Sequence, residues 1–195
     1  MDSTGVSNIF QTKDIVSLLK NINTKKATGP EGISCWVLKG AAEEIAPFLQ
    51  FTFNQSLTTG QVPGDWKCAN VSPVFKKGST KEAGNYRPES LISVPCKIME
   101  HIIFHYIMGH LDAHHLLVNY QHGFHQAHSC ESQLITVVEH RVRNLDHSRQ
   151  THVLLLDFSK TFDTVPHKRL LKKLDHHGIC GQLIKWIESW LCGRI

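Results

Sequence analysis

The sequence predicts a helix-rich α/β (α+β) chain, and three observations carry that expectation. Several segments place apolar residues at helical spacing, among them Ile15, Leu18, Leu19 and Ile22, and later Leu170, Leu171 and Leu174. Trp66 to Phe75, with β-branched Val71 and Val74, is strand-like. Val153-Leu154-Leu155-Leu156, a continuous apolar run closed by Asp157, fits a strand buried on both faces. An apolar content of 41% supplies enough side chains for a core and excludes wholesale disorder.

Each element follows in order. Residues 1–8 are polar and expected to fray, and Ile9 to Ile22 form the first helix. Residues 23–32 are a turn-rich loop punctuated by Gly29, Pro30 and Gly32. A basic, Gly-containing loop can cradle a phosphate, although no Gly-Lys-Ser/Thr follows here, and an ordinary loop is the alternative. Ala41 to Leu57 reads as an amphipathic helix through Ile45, Phe48, Leu49, Phe53 and Leu57, with Pro47 early enough to be tolerated. Gly60 and Pro63-Gly64 end that unit, and Pro73 argues that the strand-like stretch after it is an edge or bends. Pro95 to Leu111 is a helix broken near Gly109. Ser129 is placed to cap a helix reaching about Leu145, with Glu131 at the positive end of its dipole and Leu134, Val137, Val138 and Val142 as its buried face. His167 to His177 forms the next helix, stopped by Gly178 and carrying Lys168, Arg169, Lys172 and Lys173 on its polar face. Leu183, Ile184, Ile187 and Leu191, with Trp186 and Trp190, mark the last.

Three clusters could carry chemistry. A carboxylate at the exit of a buried strand is costly unless a cation meets it, so Asp157 reads either as a ligand for a divalent metal or as a cap for the helix that follows. On the second reading Asp163 is a solvated charge. Between Trp66 and Pro88, five cations (Lys67, Lys76, Lys77, Lys81, Arg87) stand against Glu82, a net +4 that equals the net charge of the whole chain. Such a segment suits phosphates, or is simply a solvated loop beside a strand. His122, His125, His128 and Cys130 have a spacing that could hold zinc. Without a second paired cluster, solvated loop histidines are the default and zinc is not expected. Six scattered cysteines with no Cys-x-x-Cys pair fit free thiols in a reducing compartment. The start lacks a secretory signal pattern and no run is long enough for a membrane span, so an intracellular location, cytoplasm or nucleus, is expected.

Read as whole segments, these clusters share one resemblance. LLLDFSKTFD followed by TVPHKRLLKKLDHHGICGQLIKWIESWL resembles the first catalytic motif, and its sequel, in reverse transcriptases of non-LTR (LINE-type, jockey-like) retrotransposons. WKCANVSPVFKKGSTKEAGNYRPESLISVPCKIMEHII resembles the fingers of the same family, and Gln121-His122-Gly123-Phe124 resembles a segment that continues there with Arg. The resemblance implies a reverse transcriptase domain over residues 9–195, with fingers over about 9–150 and the first palm strand and helices over about 151–195. It implies Mg²⁺ as cofactor, with RNA template, DNA primer and deoxynucleoside triphosphate as partners. Asp157 is then the catalytic metal ligand and the Phe158 backbone carbonyl a second ligand. Phe162 becomes the gate against a ribose 2′-hydroxyl, and Arg87, Lys76 and Lys77 the holders of the triphosphate.

Two departures stand out. Glu89 replaces the family's usual Ile, and an acid there either faces solvent or pairs with Arg87. His125 replaces a template-contacting Arg, and a neutral imidazole holds phosphate less well than guanidinium. Two-metal nucleotidyl transfer also needs carboxylates beyond Asp157. The family draws them from a later Asp-Asp pair, and no Asp-Asp dipeptide occurs here. The expectation is therefore a fragment of an RNA-directed DNA polymerase, inactive alone. The alternative is a non-catalytic nucleic-acid-binding remnant or a decayed element product.

Overall fold

The computed structural model describes residues 9–125, 127–158 and 161–194. The N-terminal stretch expected to fray lies outside the described residues, as do Ser159 and Lys160 of the Asp157 motif. The elements are α1 (Thr12–Lys20), α2 (Cys35–Gly40), α3 (Ala42–Thr59), β1 (Asn70–Phe75), β2 (Tyr86–Leu91), α4 (Val94–Ala113), α5 (Cys130–Asp146), α6 (His167–His176) and α7 (Gly181–Leu191). The α+β class is therefore correct, with helices dominant and β1–β2 an antiparallel two-stranded sheet. The chain divides into two units, Met1–Gly109 with Pro166–Ile195, and His110–Val165.

The first unit owns the core. Helix α1 buries Ile15 and Leu19, and α3 packs against both α1 and α7. Phe53 of α3 is the aromatic centre, with the Phe10 ring at 5.3 Å and the Trp66 ring at 5.6 Å. Gln50 ties the same interface with polar groups, donating to the Phe10 carbonyl at 2.8 Å and accepting from Thr12 Oγ1 at 2.6 Å. Helix α3 ends at Gly60, whose φ of 67° is left-handed and whose added Cβ would lie 3.0 Å from Lys185 Cβ. Helix α7 then buries Leu183, Trp186, Ile187 and Trp190. Buried Ser56 satisfies both of its capacities there, accepting from Trp186 Nε1 at 2.9 Å and donating to the Gln61 carbonyl at 2.6 Å.

Two expectations in this unit need correction. Phe48 is exposed rather than part of the buried stripe, which runs through Ala42, Ala46, Phe53 and Leu57. Two residues past Ala46 is a turn of about 200°, which carries Phe48 to the opposite side of the helix. Helix α4 also does not break near Gly109 but continues to Ala113, since an interior glycine costs only about 1 kcal/mol.

In the second unit α5 begins as expected. Ser129 Oγ accepts from Ser132 N at 3.1 Å, Ser132 Oγ accepts from Ser129 N at 2.9 Å, and the two close a capping box. Its apolar face departs from expectation, because Leu134, Val137, Val138 and Val142 are all exposed. The buried strand at Val153–Leu156 is absent as well: residues 151–158 form no strand, and Leu154, Leu155 and Leu156 are 82, 88 and 73% exposed. A strand exists only through its neighbours' hydrogen bonds, and among the described residues the only paired strands are β1 and β2, which pair with each other. With neither ladder nor covering layer, apolar character alone does not make residues 153–156 a strand.

Candidate nucleotide-binding hairpin and carboxylate motif

The hairpin is built around two prolines. In the register Pro73 faces Pro88, Val74 faces Arg87 and Ser72 faces Glu89. Lys76 N donates to the Asn85 carbonyl at 2.8 Å, and alternation from that bond makes Pro73–Pro88 a pair that exchanges no ladder bonds. Neither missing N–H costs anything there, which explains how two prolines sit in one small sheet.

The same alternation sorts the side chains. Val74, Lys76, Arg87 and Glu89 fall on one face, and Pro73, Phe75, Tyr86 and Pro88 on the other, where the Phe75 and Tyr86 rings meet edge-on at 5.5 Å. Lys76 stands diagonal to Arg87, about 7–8 Å away between Cα atoms for such a pair. Lys77 follows in the exposed turn. Arg87 Nη2 donates to Glu89 Oε1 at 3.1 Å, so both readings of Glu89 hold together: it is exposed to solvent and it pairs with Arg87.

The Gly29–Gly32 loop caps a helix. Glu31 Oε1 accepts from Val94 N, the first residue of α4, at 2.9 Å. A Cβ on Gly29 would lie 2.6 Å from Ser93 Cα, so only glycine lets the loop approach this closely. Nothing local marks this role, since partner and cap lie 63 positions apart. Ser56 and Gln50 were likewise passed over, each satisfied by residues far along the chain. Within α4, burial and the Glu100 charge push the Cys96 thiol up to about 12, which leaves it protonated and inert at neutral pH.

In the second unit Asp157 and Phe158 are exposed in the irregular segment. Among the described residues Asp157 caps no helix: residues 161–164 form a turn and α6 starts only at His167. The Phe158 carbonyl accepts from Thr161 Oγ1 at 2.8 Å. Phe162 is exposed and its ring meets Phe124 edge-on at 5.9 Å. Magnesium takes about six oxygens in near-octahedral geometry. Asp157 and the Phe158 carbonyl offer a fraction of that set, and among the described residues no group of three or more His, Cys, Asp or Glu is placed to hold a metal. These residues do not complete a magnesium site.

His125 is half-buried with Nε2 3.7 Å from Asp112 Oδ1. The His128 ring lies 4.6 Å from that of His125 and 4.7 Å from that of His122, whose Nδ1 is 2.9 Å from Ser132 Oγ. Phe124 and Ala127 hold φ of 60° and 62°, a left-handed backbone that costs about 1–2 kcal/mol for each non-glycine residue.

Residues 74–195 match the family described as reverse transcriptase (RNA-dependent DNA polymerase), a span that begins within β1 and includes its last two residues, β2 and Asp157. The chain belongs to the reverse transcriptase family. It is 27% identical over 166 residues to the probable RNA-directed DNA polymerase from transposon BS of Drosophila melanogaster, covering 85% of this chain and 18% of that protein. It is 28% identical over 162 residues to the RNA-directed DNA polymerase from mobile element jockey of the same fly, covering 83% of this chain and 18% of the relative. A third similar protein, the probable polymerase from transposon X-element, is 27% identical over 186 residues, or 95% of this chain and 20% of its own length. This reverse transcriptase chain thus spans about a fifth of the curated relatives it matches, and the non-LTR retrotransposon assignment rests on all three. Reverse transcriptases as a family depend on metal ions and act on nucleic-acid templates and deoxynucleoside triphosphates. No helix among the described residues is long and apolar enough to cross a membrane.

Proposed function

We propose that this chain supplies the fingers, and the first carboxylate motif, of an RNA-directed DNA polymerase that copies an RNA template from a DNA primer inside the cell. Arg87 and Lys76, with Lys77 beside them, hold the phosphates of the incoming deoxynucleoside triphosphate. Asp157 is the first of several carboxylates that position Mg²⁺, the Phe158 carbonyl adds an oxygen, and Phe162 screens the sugar. His125 is a weak template contact, because imidazole holds phosphate less well than guanidinium. The observation that carries the reading is the placement of Arg87 and Lys76 on one face of a proline-paired hairpin, two cations spaced for a polyphosphate.

The measurement is binding of a deoxynucleoside triphosphate to the full chain across a salt series. Arg87→Ala and Lys76→Ala are each expected to weaken binding and to lower the salt slope by about one charge. Unchanged slopes in both variants would remove the hairpin from the account.

A second reading has its own support. With Asp157 alone of the motif's two carboxylates expected to bind metal, and no three-residue ligand group among the described residues, the chain alone fits nucleic-acid binding without chemistry. The chain alone is expected not to extend a primer, and magnesium-dependent incorporation above an Asp157→Ala control would overturn that and establish that the chain is itself a polymerase.

A further inference from the structure

The ion pair on the hairpin has a consequence for the ligand. Arg87 and Glu89 are two residues apart on β2 and therefore project from one face, where the guanidinium donates to the carboxylate at 3.1 Å. Their directly facing partners on β1, Val74 and Ser72, are neutral, so neither supplies a competing charge. Lys76 shares the face by alternation, and its ammonium forms no ion pair among the described residues. A phosphate approaching this surface meets one uncommitted cation and one whose donor group is already engaged by a carboxylate. It must share the guanidinium with Glu89 or displace it, and in either case remain close to that negative charge.

We infer that Glu89 is an internal competitor for phosphate, a residue that sets the triphosphate affinity of this hairpin by occupying Arg87. The inference rests on the proposed phosphate role of Arg87 and adds a specific determinant to it. Both groups are solvent-exposed, so the competition is modest and screened by salt. It lowers affinity without abolishing it. A ligand with several linked phosphates overcomes it more readily than orthophosphate, because it can engage Lys76 and Arg87 together.

The test titrates inorganic tripolyphosphate into the full chain and into Glu89→Gln, Arg87→Ala and the double variant, at low and high salt. Circular dichroism confirms that each is folded. Glu89→Gln is expected to tighten binding about two- to five-fold at low salt, the gain shrinking at high salt and vanishing without Arg87. Equal tightening in the Arg87→Ala background would reduce Glu89 to a general surface charge and overturn the inference. No change on Glu89→Gln, while Arg87→Ala still weakens binding, would overturn the inference and leave the phosphate role of Arg87 standing. If Arg87→Ala has no effect in either background, the phosphate reading itself fails and the inference falls with it.

Discussion

The two units of this chain treat similar side chains in opposite ways. In the first, Phe10, Ile15, Leu19, Phe53 and Leu183 are almost wholly buried, and Gln50 and Ser56 among them are paired. In the second, residues as apolar as Leu134, Val138, Leu154 and Leu155 are exposed, on a helix and on a segment that forms no strand. Hydrophobicity is a property of the residue, whereas burial requires a second layer. The first unit has that layer because α3 packs against both α1 and α7. Within residues 110–165 no residue of α5 is buried.

The sharpest way to break this contrast is a pair of truncations. Phe53→Ala removes a ring packed between Phe10 and Trp66, and is expected to cost about 3–5 kcal/mol in urea unfolding. Leu155→Ala should change stability by less than about 0.5 kcal/mol, because an exposed side chain loses nothing on truncation. Comparable losses would show that residues 153–156 are covered. A smaller effect is expected at Ser56→Ala, about 1–3 kcal/mol, since Trp186 Nε1 loses its partner in a buried place and the Gln61 carbonyl loses one in a part-buried place. Glu31→Ala comes next, about 1 kcal/mol, through the lost cap on Val94 N.

The smallest effects are in pH. Burial and the neighbouring His105 hold His101 below its ordinary value, so the unfolded chain takes up that proton first. Its contribution is intact above the unfolded value of 6.5 and is lost as pH falls below it. Glu100 runs the other way. Burial raises its carboxyl, the folded state binds the proton first, and stability is regained as pH falls toward 4.5. Glu100→Gln should therefore raise the urea midpoint at neutral pH and flatten the acid side, whereas His101→Gln should flatten the window just below 6.5. Unchanged pH profiles in both variants would show that neither group is desolvated as described.

Much of the first unit was legible in the sequence. The stripe at Ile15 and Leu19 and the stop at Gly60 are local signals, as is the capping serine at Ser129 in the second unit, and each falls where expected. The hairpin was half legible: Pro73 announced an edge, but its pairing with Pro88, and so the face shared by Lys76, Arg87 and Glu89, needed the register. Glu31 was not legible at all, because the cap it provides depends on tertiary approach. The four-residue run before Asp157 misled for a related reason. Its composition suits a buried strand, but no composition supplies the neighbouring strands that one requires.

Hydrogen exchange on the full chain, resolved by peptide, tests the central claim most directly. The account predicts strong protection of α1, α3 and α7 and rapid exchange across residues 151–158, whose amides have no ladder partners among the described residues. Protection at Leu154–Leu156 equal to that of α3 would contradict it, and would mean that the segment leading into Asp157 is a paired, buried strand.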